Sequence, residues 1–136
     1  MTHPPGLSLQ QAIFTALTGS TALVNYLGGA RIYDDIPEQT PFPYVTIGQS
    51  LMADWSTATE PGREHLFRIH VWSRFSGGTE AQLIAEEIIQ VLHDAALVLQ
   101  DNILVNLRFL SADILRDRDG KTHHNILRFR AVTEPV

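Results

Sequence analysis

The alternation of side chains over residues 65–72 constrains the fold of this chain more than any other feature of its sequence. Side chains suited to a buried face alternate there with side chains suited to an exposed one, in the order His65, Leu66, Phe67, Arg68, Ile69, His70, Val71, Trp72. Successive side chains of a β-strand point to opposite faces of the sheet. The pattern therefore predicts a strand with His65, Phe67, Ile69 and Val71 on one face.

Two shorter or weaker strand patterns precede this segment. Residues 31–34 read as a short strand that Pro37 stops, because proline cannot donate to the hydrogen-bond ladder. Residues 44–51 alternate, which predicts a strand with four side chains on one face: Val45, Ile47, Gln49 and Leu51.

Two long strands are predicted to close the chain. The first carries Ile103, Val105, Leu107 and Phe109 on one face. Its apolar phase then slips at Leu110, so that Ala112 and Ile114 continue the face, which is typical of a β-bulge. The second strand has Leu127, Phe129 and Ala131 facing inward, and Asp119-Gly120 supplies the turn of the charged hairpin tip between the two strands.

Helical periodicity occurs twice. Ile84, Ile88, Val91 and Leu92 form an apolar stripe that predicts a helix from about residue 79 to 94, and Thr79 with Gln82 has the spacing of a capping box.

Near the N-terminus, Leu9, Ile13 and Leu17 have the same spacing, and Ser8 with Gln11 predicts the helix start. Residues 1–7 are then expected to be a loose, flexible tail. Residues 23–27 suggest a short second turn, which Gly28 ends.

These elements predict one domain over residues 1–136. Two or three strands follow the first helix, and two more follow the second. The fold class is therefore α+β, an antiparallel sheet of about four to five strands with two helices packed on one face.

Composition restricts the class of protein further. The 136 residues are 44% hydrophobic and 18% charged, which is ordinary for a globular domain and unlike a disordered chain. The sequence has no Cys, no apolar run of membrane-spanning length and no signal-like N-terminus. We expect a soluble protein assembled in the cytoplasm.

The charge balance is acidic and uneven. A formal net charge of -5 disfavours a general nucleic-acid binder, which needs clustered positive charge. Residues 1–102 carry 4 basic and 11 acidic side chains, whereas residues 103–136 carry 6 basic and 4 acidic ones. Regions of opposite sign can steer identical subunits into head-to-tail contact; chance unevenness on a solvated surface is the alternative.

The sequence offers no arrangement that would support catalysis or metal binding. His123 and His124 are neighbours on a strand, and His65 and His70 are five residues apart, so each pair points to opposite faces. Asp117-x-Asp119-Gly120 lacks the remaining ligands of a calcium loop, and Gly77-Gly78-Thr79 lacks the lysine of a phosphate loop. We therefore expect no enzyme, no metal and no cofactor.

The face of the sheet opposite the core carries an unusual set of residues. Six are large cationic or aromatic side chains: Arg68, His70, Trp72, Arg108, Arg128 and Arg130. Leu66 and Leu104 are expected to share this face. Arginine mixed with large apolar groups is typical of protein interfaces, although a plain solvated sheet face is the common alternative.

The order and spacing of several segments resemble the tail-completion, or tail-terminator, protein family of long-tailed, siphovirus-like bacteriophages. The segments that carry the resemblance are 31–37, 42–48, 70–74, 92–95, 107–113 and 127–131. It extends from about Leu9 to Thr133, and the version here looks most like those of alphaproteobacterial prophages and gene transfer agents.

The resemblance implies a structural α+β subunit that forms a homohexameric ring at the head-proximal end of the tail tube. Such a ring ends tail polymerisation, contacts the tail-tube protein and joins the head–tail connector, while DNA passes through its lumen without sequence recognition. It also implies a place in the virion or phage-like particle at the head–tail interface.

Contacts within or between rings are expected from the edge strands, the Arg-rich face and the two long loops. The loop Ala53–Gly62 with Trp55 is the candidate for contact with a neighbouring ring. The charged tip with Arg116, Arg118 and Lys121 is expected to line the lumen or to meet the connector. Trp is enriched at binding hot spots, but a lone Trp can also cap a core. The competing hypothesis is a monomeric module that binds a small molecule or a peptide.

Overall fold

The computed structural model describes residues 2–75 and 77–136. Its elements follow the chain in this order: α1 Pro5–Thr18, α2 Thr21–Leu27, β1 Ile32–Tyr33, β2 Tyr44–Asp54, β3 Arg63–Ser73, α3 Thr79–Leu92, β4 Asn102–Arg116 and β5 His123–Pro135. Among the described residues, no helix has the length and apolar character needed to cross a membrane.

The five strands form one sheet in the order β1-β2-β3-β5-β4. β2, β3, β5 and β4 are antiparallel neighbours. β1 pairs with β2 in parallel through Ile32 and Tyr33, so the prediction of a purely antiparallel sheet is wrong at this edge. The reason is the connection, because a loop of ten residues returns the chain to the start of β2 running in the same direction as β1. The α+β class is confirmed.

The core lies between the helices and one face of the sheet, which we call the inner face. Phe67, Ile69 and Val71 of β3 are almost fully buried, as predicted, and so are Leu127 and Phe129 of β5. They belong to one hydrophobic cluster with buried side chains from all three helices. Phe67 and Phe129 stack across the two strands with their ring centroids 5.4 Å apart.

β2 departs from simple alternation. Its register against β3 shifts between Ile47 and Ser50. Ser50 therefore lies opposite Phe67, and Leu51 lies opposite Leu66 with 62% of its surface exposed. The predicted common face for Val45, Ile47, Gln49 and Leu51 is wrong beyond Ile47, because the bulge reverses the direction of the later side chains.

β4 contains two bulges, of which the sequence predicted one. The bulge between Phe109 and Ser111 is the predicted slip at Leu110. A second one, between Leu104 and Asn106, was not predicted. It turns Leu104 toward the core, so placing Leu104 on the outer face was wrong.

The predicted inner-face positions at the two ends of β4 are largely exposed. Ile103 and Val105, which lie before and within the first bulge, are each 49% exposed. Beyond the second bulge the predicted phase holds, since Ala112 and Ile114 lie opposite Leu127 and Asn125. Ile114 is nevertheless 62% exposed, because β4 is the last strand of the sheet and the core does not extend under it there.

The helices differ from the predictions mainly at their starts. α1 begins at Pro5 rather than at Ser8, since a proline suits the first turn of a helix, where its missing N–H is not needed. The predicted loose tail is therefore wrong over residues 5–7; Met1 lies outside the described residues. The Ser8 side chain is buried, and its hydroxyl donates to the backbone oxygen of Gln100 at 2.6 Å.

α3 matches its prediction within two residues at its end, but the capping box is absent. Gly78 occupies the N-cap, and no side chain caps the helix. The predicted short turn after α1 is a separate helix, α2, whose start is capped by Ser20 accepting from the backbone N–H of Leu23 at 3.2 Å. In the part of the chain that the structure describes, three helices rather than two thus accompany the sheet.

Candidate assembly surface

The face of the sheet away from the core, here called the outer face, carries all six residues predicted for it. Pairing between strands fixes their positions: Arg68 lies opposite Arg128, Trp72 opposite His124, and Arg108 opposite Arg130. His70 lies between Arg68 and Trp72 along β3. The sequence thus predicted these six positions, because each follows from alternation within its own strand.

A groove crosses the outer face at the level where β2 and β4, the strands on either side of β3 and β5, contain bulges. The bulge of β2 ends at Ser50 and that of β4 lies at Leu110, and both are level with the central pair Phe67–Phe129. Bulges bend a strand and increase its local twist. The resulting depression has a volume of about 290 Å³, and its outward-facing side chains are Leu51, Leu66, Arg68, Leu110 and Arg128.

Like charges face each other inside this outer-face groove. Arg68 and Arg128 are direct cross-strand partners, an arrangement that is unfavourable unless other groups compensate it. Asp113 compensates one of them, since its carboxylate lies 2.8 Å from the Arg128 guanidinium. Arg68 is exposed and makes no ion pair within residues 2–75 and 77–136. The groove therefore combines an uncompensated positive charge with apolar walls.

A stack of aromatic rings occupies the outer face beside the groove. Trp72 stacks on His124 with centroids 3.6 Å apart, and Tyr44 stacks on the other side of Trp72 at 6.1 Å. His70 Nδ1 and His124 Nε2 share a hydrogen bond of 2.7 Å. Gly48 makes room for the stack, because a Cβ atom at that position would lie 2.6 Å from His70 Nε2.

Sequence reasoning missed the His70–His124 pair. It correctly separated His123 from His124, since the former is buried and the latter is on the outer face. The two residues that meet come from different strands, and only the register of β3 against β5 brings them together. That register could have been deduced only by aligning the inner-face residues of both strands.

Burial keeps both imidazoles neutral near pH 7. It lowers the pKa of His70 below its ordinary 6.5, and the charges of His124, Arg68 and Arg128 lower this pKa further. Burial also lowers the pKa of His124, against the opposing effect of Asp117. The hydrogen bond between the rings needs one neutral nitrogen as its acceptor, so the neutral state of the pair and its geometry support each other.

Trp55 belongs to the outer face and does not cap the core. The turn that holds it is closed by a hydrogen bond of 2.8 Å from its backbone N–H to the oxygen of Gly62. The guanidinium of Arg130 lies 4.9 Å from the centre of the Trp55 ring and bonds to Glu64 at 2.7 Å. The indole is 52% exposed. This arrangement holds a large aromatic ring in place while leaving much of it open to a partner.

The hairpin tip is held by Asp119. Its carboxylate accepts from the backbone N–H groups of Lys121 and Thr122 and from the Thr122 hydroxyl, which lowers its pKa from 3.8 to about 2. Arg74, which the sequence did not indicate, donates to the Thr122 hydroxyl at 3.1 Å and lies 4.4 Å from the centre of the Phe42 ring.

The three cations predicted for the tip remain exposed. Arg116, Arg118 and Lys121 have no carboxylate within ion-pair distance in the described part of the chain. Together they form a positive projection at the end of the β4–β5 hairpin.

The free edge of β4 adds apolar surface to this end of the sheet. β4 has a neighbour on one side only, and over residues 110–116 its side chains are exposed on both faces. Leu110, Ile114 and Leu115 are 52%, 62% and 46% exposed, respectively. An exposed apolar edge strand is a ready site for pairing with another chain.

The described residues give no sign of a reaction centre. No cluster of three or more His, Cys, Asp or Glu side chains that could hold a metal occurs in residues 2–75 and 77–136. Of the histidines with lowered pKa values, His70 and His124 bond to each other, and His65 bonds to the Thr133 hydroxyl at 2.8 Å where both residues are buried. Fold and surface together define an α+β domain whose outer face carries cationic, aromatic and apolar side chains.

Comparison with known proteins identifies the family. The chain belongs to the family described as tail completion protein gp17, whose model matches residues 11–134. It is 31% identical over 126 residues to the tail completion protein gp17 of Bacillus phage SPP1, with 90% of each chain covered. Members of this family are structural tail proteins, so the chain is not an enzyme.

A solved structure extends this result to the fold. The chain superposes with a TM-score of 0.88 and 32% identity on a chain in the virion of a native gene transfer agent particle, covering 98% of this chain and 99% of that one. The predicted resemblance to the tail-completion family is thereby confirmed.

The histidine pair predicts a pH dependence of folding stability. Because folding lowers both pKa values, the unfolded chain binds more protons between the lowered values and 6.5. The free energy of unfolding should therefore have its full value above pH 6.5. It should decrease as the pH drops from 6.5 through the folded-state pKa values. We expect urea unfolding midpoints to fall less between about pH 7 and about pH 5 in the double variant His70→Gln, His124→Gln than in the unchanged protein. An equal fall in both proteins would contradict this assignment.

Proposed function

We propose that this chain forms a hexameric ring at the head-proximal end of a tail tube. There it ends polymerisation of the tube, joins the finished tail to the head–tail connector or stopper protein, and leaves a lumen for DNA. The observation that carries the proposal is the match over nearly the whole chain with a component of a gene transfer agent virion, together with family membership over residues 11–134.

The edges of the sheet suit repeated contact between identical subunits. The sheet has free edge surface on both sides, because β4 is unpaired along one side and β1 covers only Val45 and Thr46 of β2. An edge strand can pair with a neighbouring chain. Contacts between two different surfaces of the same subunit close into a ring when the rotation permits it.

The remaining surfaces suit contacts along the axis of the particle. Trp55 and the hairpin tip lie at different places on the domain, each exposed and each fixed by internal bonds. We propose Trp55 for a contact with a neighbouring ring, and the tip either for the wall of the lumen or for the contact with the connector. The net charge of -5 supports a passive lumen, because a subunit with an acidic balance does not hold phosphates strongly.

Tail assembly with and without this chain tests the proposal. Particle-producing cells that lack the gene should accumulate tails of uneven length that are not joined to heads, and supplying the chain should restore uniform, joined tails. Negative-stain images should then show an additional ring at the head-proximal end of each tail. Tails of identical length and joining in both cases would contradict the proposal and favour a monomeric binding module.

The hairpin tip gives a separate prediction. Replacing Arg116, Arg118 and Lys121 by Glu should block joining of heads to tails while leaving tail length uniform. The subunit should stay folded, since exposed substitutions of this kind change stability by about 0.5 kcal/mol or less each. The matched control replaces the same residues by Gln and should reduce joining less, because it removes charge without reversing it. Normal joining by a folded Glu variant would show that the tip does not contact the connector.

A further inference from the structure

Helix α3 presents an acidic surface on the side of the domain opposite the outer face. Its sequence contains Glu80, Glu86 and Glu87 and neither Lys nor Arg. Glu80 accepts a hydrogen bond of 2.7 Å from the Ser73 hydroxyl. Glu86 is bonded only to Gln90 within the same helix, and neither Glu86 nor Glu87 joins an ion pair in the described part of the chain.

An exposed leucine accompanies these charges. Leu83 is 47% exposed, whereas its neighbours Ile84 and Ile88 are fully buried in the core. Residues three and four positions apart on a helix are neighbours on its surface, so Leu83 lies beside Glu86 and Glu87. The outward surface of α3 therefore consists of the Leu83 side chain and, one turn toward the C-terminus of the helix, the carboxylates of Glu86 and Glu87.

The outer-face groove has the complementary composition. Its leucine walls, at positions 51, 66 and 110, are 62%, 37% and 52% exposed. Arg68 and Arg128 face each other across its floor, and only Arg128 has a carboxylate partner among the described residues. A ligand that supplies one large apolar side chain and at least one carboxylate would cover the walls and compensate the charge.

We propose that the outer-face groove of one copy receives the Leu83–Glu86–Glu87 surface of α3 from a second copy. This proposal rests on the proposed function, because it names the contact by which the ring closes. Since the helix and the groove lie on opposite sides of the sheet, each copy offers one surface to each neighbour. Such a head-to-tail contact propagates from copy to copy and forms a ring when it closes.

The composition of the groove favours a second copy over nucleic acid. Phosphate binding calls for clustered cations with little competing negative charge, whereas Asp113 already occupies one guanidinium of the pair. The leucine walls would remain exposed beneath a phosphate backbone. Against α3 they are covered by Leu83, and Arg68 gains a carboxylate partner.

Reciprocal charge reversal tests the contact in assembling particles. Cells whose own copy is deleted receive the variant Arg68→Glu, Arg128→Glu or the variant Glu86→Arg, Glu87→Arg. Each should lower the yield of joined particles about tenfold or more, the effect expected for breaking charged contacts at an interface. Combining the four substitutions in one chain should restore most of the yield, because the opposite charges again face each other.

The controls separate this effect from folding and from net charge. Circular dichroism melting should show that all three variants are folded. Reversal of two other exposed acids, Asp35→Arg and Glu38→Arg, changes the net charge as the α3 reversal does and should leave the yield unchanged. Failure of the combined variant to exceed the yield of either double variant would overturn the proposal, as would normal yield from either of them.

Crosslinking gives a second, independent readout. The chain contains no Cys, so Leu83→Cys and Leu110→Cys introduce the only two thiols, one on each side of the domain. Particles that carry both substitutions should give a ladder of covalent multimers with a short bis-maleimide, and particles with either one alone should not.

The two readouts also distinguish this inference from the proposed function. Particles that show the ring but give only monomer after crosslinking would overturn the α3 contact and leave the ring intact. Unchanged tails in cells lacking the gene would remove the ring itself, and the α3 contact with it.

Discussion

The pairing of β3 with β5 is the interaction on which the rest of this structure depends. Eleven residue pairs join the two strands from Arg63–Thr133 to Ser73–His123 without a shift in register. Both strands are in the middle of the sheet, and the stacked pair Phe67–Phe129 lies near the centre of the core. Because side chains alternate between faces, this one register also fixes which cations and aromatics meet on the outer face.

The irregular features of the outer face come from β2 and β4, which lie on either side of the central pair β3 and β5. A regular pair of strands produces an even surface, whereas the bulges in β2 and β4 deform the sheet on both sides of the Phe67–Phe129 level. The groove forms there, and the same irregularities turn Leu51 and Leu110 outward. The core and the surface proposed for assembly are thus two consequences of one sheet geometry. Large apolar side chains exposed together in this way are typical of a surface that binds a partner.

Sequence reasoning succeeded where periodicity is regular and failed where it is interrupted. The strand over residues 65–72 and helix α3 follow directly from spacing, because burial on one face is the dominant driving force for both. Gln49 and Leu51 were assigned to the wrong face because a bulge leaves the residue types of a strand unchanged while reversing their direction. The start of α1 was missed because Ser8 has the composition of a cap but is buried against residues some ninety positions later.

The residues of the candidate site were likewise predicted where they depend on one strand and missed where they depend on contacts between elements. The six outer-face cations and aromatics were predictable, since each follows from alternation within its own strand. The His70–His124 bond, the compensation of Arg128 by Asp113 and the role of Arg74 at the tip were not, because each joins residues from different elements. Those contacts depend on register, which a single sequence specifies only indirectly.

The position of this chain in an intact particle can be determined from a cryo-electron microscopy map of the neck. We expect a hexameric ring of this chain between the last ring of the tail tube and the connector, with α3 of each copy seated in the outer-face groove of its neighbour. A neck whose density holds no copy of this chain, or a chain located elsewhere on the particle, would contradict this expectation.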